Sequence, residues 1–268
     1  MEIALVYMVA GLSSRFGGRL KQLVRVGPQG ETLIEYSIKQ ALPAGFTKII
    51  FIVGEKTEQQ FKELFKDNYR GIPVHYAFQH YNPEERDRPW GTNDALCTIK
   101  NLINHPIVIC NGDDIYGKET FQILTTHLKN NNHDATVGYK LINVLPEKGR
   151  VHRGLFQTNN EDFATDLKET FDIEKSTLHP RYHNQLCSMN IFALFPETIN
   201  KLNNKLTEFK KNNKGHRTAE SLLPNEISSL IKSNHKMKVY QTSSKWFGIT
   251  NPEDEEIVRN ALRFYREF

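Results

Sequence analysis

The chain has 268 residues, 38% of them hydrophobic, enough to close a sizeable core and to exclude wholesale disorder. Its 35 Lys and Arg against 31 Asp and Glu leave a formal net charge of +4, which suits an anionic substrate but is too mild to argue for nucleic acid or a membrane surface. Three cysteines without paired spacing (Cys97, Cys110, Cys187) read as reduced thiols of a cytoplasmic protein, and no apolar run reaches membrane-spanning length.

The first apolar burst, residues 3–8, reads as a buried strand, and its lack of a basic flank argues against a secretory leader. It breaks into Val9-Ala10-Gly11-Leu12-Ser13-Ser14-Arg15-Phe16-Gly17-Gly18, followed by Lys21. Such a turn is either an ordinary strand-to-helix loop or a cradle of free backbone N–H groups for an anion, with Arg15 and Lys21 adding charge. It lacks the GK[ST] end of an NTPase phosphate loop and the GxGxxG of a dinucleotide fold. A helix is expected over residues 32–41, a strand over 48–54, a helix over 58–66, a strand over 73–78, a helix over 93–102 and a strand over 106–111. This alternation predicts an α/β architecture with a mainly parallel sheet, whose ligands bind beyond the strands' C-terminal ends. The later part is less regular: strands over 135–141, 154–158, 188–193 and 238–242, and helices over 221–232 and 252–264. Residues 201–217, dense in Lys and Asn, read as a solvated helix running into a loop. With no linker-like stretch, the expectation is one domain over 1–268, made of two halves, 1–135 and 136–268, on either side of the cleft.

Asn111-Gly112-Asp113-Asp114 follows the third burst, so two carboxylates stand at a strand's C-terminal end, as a helix cap or as ligands for a divalent cation. Arg88-Pro89-Trp90-Gly91-Thr92-Asn93-Asp94-Ala95 forms a second turn, in which Thr92 is placed to cap a helix and Trp90 is either a pocket wall or a packed residue. His75, His80, His127, His133 and His152 show no HxH or HxxxH spacing, and no GxSxG nucleophile elbow is present.

In this order, Ala10-Gly11, Ser13-Ser14-Arg15, Gly17-Gly18, Lys21, Gly91-Thr92, Asp113 and the closing Trp246-Phe247-Gly248-Ile249-Thr250 resemble the sugar-phosphate nucleotidyltransferases, the NDP-sugar pyrophosphorylases. The resemblance covers nearly the whole chain. It implies a three-layer Rossmann-like nucleotidyltransferase fold with a mainly parallel mixed sheet. It also implies the reaction of an NTP with a sugar 1-phosphate to give an NDP-sugar and pyrophosphate, with Mg²⁺ as cofactor. By the same resemblance Arg15, Lys21 and Asp113 are the catalytic set, and Asp113 with its neighbour Asp114 forms the metal site. The nucleotide falls to Ala10, Gly11, Ser13, Ser14, Gly17, Gly18, Gly91 and Thr92, and the sugar phosphate to Glu169, Asn190 and Lys175.

Two positions depart from the family pattern. Asp94 stands where a small residue or histidine is usual. Gly248 stands where related enzymes often carry a second metal-binding aspartate, for which Asp254 or Glu220 are the substitutes at hand. UTP is the first candidate nucleotide, with dTTP or CTP next, and a homo-oligomer is among the open assembly states. The rival readings are a cytidylyltransferase for a non-sugar phosphate such as phosphocholine, whose mark is an aromatic cage, and a non-catalytic nucleotide- or sugar-binding module on the same fold.

Overall fold

A computed structural model of the chain describes residues 1–11, 16–249 and 251–264. Strand β1 (Ala4–Met8) lies between β2 (Lys48–Val53) and β5 (Ile107–Asn111), parallel to both, and its last residue Met8 is level with Ile52 and Asn111. These three strands are almost wholly apolar because both of their faces are covered. Alternate side chains feed two cores. Leu5, Tyr7, Phe51 and Cys110 point into one, with Ile34 and Ile38 of α1 (Leu33–Ala41), Phe61 and Phe65 of α2 (Glu58–Phe65), and Phe121 and Leu124 of α4 (Lys118–Asn130). Ala4, Val6, Ile50 and Ile109 point into the other, with Ala95 and Leu96 of α3 (Thr92–Cys97), Leu202 of α5 (Pro196–Asn212), and Leu223 and Ile227 of α6 (Leu223–Lys232). The result is the three-layer α/β arrangement expected from the sequence.

The sheet continues outward from β2 to β4 (Ile72–Phe78) and the short β3 (Asn68–Tyr69). On the other side, β5 is followed by β10 (Leu186–Leu194), β7 (Asp134–Lys140) and β11 (Met237–Gln241), while β8 (Arg150–Thr158) and β9 (Ala164–Glu174) form a hairpin attached to β10. Only β3, β9 and β10 oppose the common direction, which makes the sheet mixed but mainly parallel.

Several elements differ from the sequence reading. α4 was not anticipated, although Phe121, Leu124, Thr125 and Leu128 form its buried stripe at helical spacing. α3 ends at Cys97, five residues early, where the chain turns through Thr98 and Ile99. α5 begins at Pro196, ahead of the basic stretch, and β9 runs for 11 residues with one exposed polar face. A two-stranded sheet pairs β6 (Asp114–Ile115) with β12 (Phe247–Gly248), bringing the WFG segment against the aspartates. α7 (Asp254–Phe264) closes a third cluster over Phe16, Val24 and Ile115. Cys110 and Cys187 are buried, Cys97 is half-buried, and all three are free thiols. No helix among the described residues is long and apolar enough to cross a membrane.

Candidate active site

The opening turn leaves β1 with Val9 N–H still bonded to the Ile52 carbonyl, so Ala10 and Gly11 start from the end of a parallel strand. Gly17 and Gly18 have left-handed φ of +57° and +87°, and no atom crowds the side on which a Cβ would stand. Ser13, Ser14 and Arg15 lie outside the described residues. A 3-10 turn, Lys21–Leu23, then places Lys21 Nζ in an ion pair with Asp113 Oδ2, both side chains about one-fifth exposed. Its neighbour Gln22 is buried; its amide donates to the Gly11 carbonyl at 3.4 Å, while its Oε1 has no partner among the described residues.

Asp113 and Asp114 directly follow β5, as the sequence predicted, but their environments differ. Asp114 is 6% exposed and its Oδ2 accepts from Asn111 Nδ2 at 2.9 Å and from the Tyr116 hydroxyl at 3.1 Å. Burial raises its pKa to about 7, with the Asp113 charge adding to the rise and Asn111, Lys21 and Tyr116 opposing it. Gly248 pairs with Asp114 in the β6–β12 ladder, and a Cβ at 248 would stand 2.6 Å from Asp114 Oδ1 and in collision with the Trp246 ring. The carboxylate beside Gly248 is therefore Asp114's own. Of the two substitutes considered from the sequence, Glu220 pairs with Arg88 at 3.2 Å, and Asp254 accepts from the Asn251 N–H at 2.8 Å at the start of α7.

The Gly91-Thr92 turn is held from across the chain. Gly91 has φ +99°, and a Cβ on it would lie 2.5 Å from the Ser221 carbonyl oxygen. Thr92 Oγ1 does not cap its own helix; it accepts from Leu223 N–H at 2.8 Å and so caps α6. Ser221 N–H donates to the Trp90 carbonyl, and Asn93 N–H to that of Ser221. Asp94 accepts from Lys210 Nζ at 2.5 Å and from Gln79 Nε2 at 2.8 Å, tying the departure at 94 to the basic end of α5. Trp90 carries the Arg86 guanidinium 3.3 Å above its ring. The basic stretch thus contributes a strap over the second turn as well as a solvated surface. Neither Lys210 nor Gln79 stood out in the sequence, because their partners lie 116 and 15 residues away.

On the far side of the aspartates, Gly154 of β8 faces Glu169 of β9, and a Cβ there would stand 3.8 Å from Glu169 Oε2. Asn190 occupies a bulge where the β10–β7 register slips between Ser188 and Phe192; its φ is +59°, and its N–H donates to Ser188 Oγ at 3.1 Å. Lys175 is drawn to Glu147 at 2.5 Å rather than grouped with Glu169 and Asn190. Arg153, beside Gly154, has its guanidinium carbon 5.6 Å from the Trp246 ring centroid. Among the aromatics Trp90, Tyr116, Phe192 and Trp246, Tyr116 and Phe192 are fully buried, Trp90 carries Arg86 and Trp246 faces Arg153.

A mainly parallel sheet with a lysine and a carboxylate pair beyond its central strands defines an α/β protein with charged groups where ligands of such sheets bind. Residues 16–254 match the family model for nucleotidyl transferases, and the chain belongs to that family. It is 25% identical over 253 residues to the bifunctional protein GlmU of Staphylococcus carnosus, a match covering 91% of this chain and 48% of that protein. It is 28% identical over 111 residues to the UTP–glucose-1-phosphate uridylyltransferase AglF of Haloferax volcanii, covering 39% of this chain and 42% of the relative. The matches thus span less than half the length of both curated relatives. The fold is similar to that of a putative glucose-1-phosphate thymidylyltransferase from Bacillus anthracis, with a TM-score of 0.72 at 13% identity over 99% of this chain and 97% of the other. It is also similar to that of a UDP-glucose pyrophosphorylase complexed with UDP-glucose, with a TM-score of 0.71 at 15% identity over 99% and 100% of the two chains.

Proposed function

We propose that the protein transfers a nucleotidyl group from an NTP to a sugar 1-phosphate, releasing pyrophosphate. The observation that carries this reading is the Lys21–Asp113 pair where β1 and β5 end, in a chain of the nucleotidyl transferase family. An acceptor phosphate oxygen attacks the α-phosphorus of the NTP; the new P–O bond forms as the bond to the bridging oxygen breaks, and pyrophosphate leaves with that electron pair. The acceptor phosphate is already ionised, so no general base is needed. Lys21 stabilises charge on the triphosphate and the departing pyrophosphate. Arg15 is assigned the same task, and Ala10, Gly11, Ser13, Ser14, Gly17 and Gly18 the backbone and hydroxyl contacts around the phosphates. Gly91 and Thr92 hold the nucleobase side in shape through the strap at Ser221 and Leu223. Glu169 and Asn190 orient sugar hydroxyls.

Mg²⁺ fits this donor set. Two adjacent carboxylates, one of them buried and pushed toward neutrality partly by the other's charge, form a hard-oxygen pair that a divalent cation relieves. Asp113 and Asp114 would hold it, and it would neutralise charge on the phosphates. Among the described residues there is no group of three or more His, Cys, Asp or Glu that could form an all-protein metal cage, in keeping with an ion that takes its remaining ligands from substrate and water. The commitments of Trp90, Tyr116, Phe192 and Trp246 argue against an acceptor with a quaternary ammonium group. UTP is the first nucleotide to try, then dTTP and CTP. Pyrophosphate release, measured with Mg²⁺ for each common NTP against a panel of sugar 1-phosphates, tests the reading. Turnover with one such pair is expected; nucleotide or sugar binding without pyrophosphate from any pair would make the protein a binding module instead.

A further inference from the structure

Arg153 is a cation whose surroundings are incomplete. It stands on β8 opposite Thr170 of β9, beside the Gly154–Ser188 pairing with β10. Its two terminal nitrogens donate to main-chain carbonyls, those of His152 at 3.0 Å and Val144 at 3.1 Å. Its Nε is enclosed and has no acceptor, and no carboxylate among the described residues is within ion-pair distance. Burial pulls its pKa down, and the carboxylates of Asp114 and Glu169 oppose that fall without pairing with it. The indole beside it repeats the pattern: Trp246 Nε1 is also enclosed and without an acceptor.

An enclosed N–H left unpaired is destabilising, the more so when it belongs to a charged group. Here two such donors sit next to each other. Both are donor-only groups, so only an acceptor can satisfy them, and a guanidinium adds full positive charge with fork geometry suited to phosphate. The location gives this need a purpose. Trp246 leads into the β12 strand that packs on Asp114, whereas the other cation of the site, Lys21, is already paired with Asp113. A dianion entering from the β8–β9 side meets Asp114 and Glu169, both acidic, and needs a cation of its own there.

We infer that Arg153 and the Trp246 indole N–H form the subsite for the phosphate monoester of the acceptor, with Arg153 as its counter-charge. The assignment rests on the nucleotidyl-transfer reading for its name but not for its binding chemistry, and it makes Arg153, rather than Lys175, the cation of the acceptor side.

The test has a binding arm and a kinetic arm. In a Lys21→Ala background, which removes one nucleotide-side cation, phosphorus NMR titration with inorganic phosphate should show saturable binding that weakens at least 10-fold in Arg153→Gln and about 3-fold in Trp246→Phe. With Lys21 intact, Arg153→Gln should raise KM for the sugar 1-phosphate about 10- to 100-fold while KM for the NTP stays within 2-fold. Arg153→Lys should recover part of the loss. Circular dichroism melting of each variant checks the fold, and Trp246→Phe, which keeps the ring, decides the matter if Arg153→Gln does not fold. Unchanged phosphate binding in Arg153→Gln and Trp246→Phe overturns the subsite, as does a KM rise shared equally by NTP and acceptor. A chain that releases no pyrophosphate yet binds phosphate through Arg153 keeps the subsite and loses the transferase reading.

Discussion

The two sides of the cleft carry charge in opposite ways. On the parallel-strand side the cation, Lys21, has its carboxylate in the chain, and the turns around it follow strands buried on both faces. On the antiparallel side the cation, Arg153, has none, and the backbone around it includes a bulged strand with Asn190 at φ +59°. A paired charge can hold a site in shape before ligand arrives. An unpaired one lowers stability until ligand arrives, and so gains affinity from the ligand's charge. The contrast suggests that the nucleotide side is preorganised and the acceptor side is completed by its substrate.

The sharpest way to break this comparison is Asp113→Ala. If the Lys21–Asp113 pair is the working end of the nucleotide side, the rate of pyrophosphate release falls by roughly 10²–10⁴ with little change in melting temperature. A variant that turns over at the parent rate would remove the pair from the chemistry. Next in size is Gly91→Ala, which asks whether preorganisation depends on the distant strap. A left-handed φ and overlap with the Ser221 carbonyl should together cost about 3 kcal/mol, a fall in Tm of roughly 6–10 °C, and unchanged melting would show the strap to be loose.

Asp114→Asn tests the boundary between the sides. The folded-state pKa near 7 lies above the ordinary 3.8, so the folded chain holds a proton that the unfolded chain has released between those values. Stability therefore falls as pH rises through that window, and the full penalty stands above pH 7. In metal-free protein, Asn at 114 should be close to neutral at pH 4 and clearly stabilising at pH 8, read from urea midpoints at the two pH values. A difference of the same size at both values would take titration of Asp114 out of the account. The smallest expected effect is that of Thr92→Ala, about 1 kcal/mol, because α6 loses a cap that reaches it from 131 residues away.

How much of this could be read beforehand followed the range of the forces involved. β1, β2 and β5 announce themselves because burial on both faces demands unbroken apolar runs, and Asp113 follows from its place at the end of such a run. β9 is harder to read, since one face of Lys168-Glu169-Thr170-Phe171-Asp172 is solvated and its alternation is blurred by a register shift in the hairpin. Gly91 and Thr92 were legible as a turn, but their partners at 221 and 223 are not local and no spacing rule reaches them. The role of Gly248 was hidden for a different reason. Its partner strand β6 is two residues long, too short for any periodicity to mark it. Arg153 lies just ahead of the strand expected from residue 154, and only the folded chain shows that no carboxylate among the described residues pairs with it.

A side chain at 248 would collide with the carboxylate of Asp114. The two positions compete for one volume, so a side chain at 248 requires Asp114 Oδ1 and the Trp246 ring to move aside. A small residue at 248 and a buried carboxylate at 114 are therefore one packing solution rather than two independent ones.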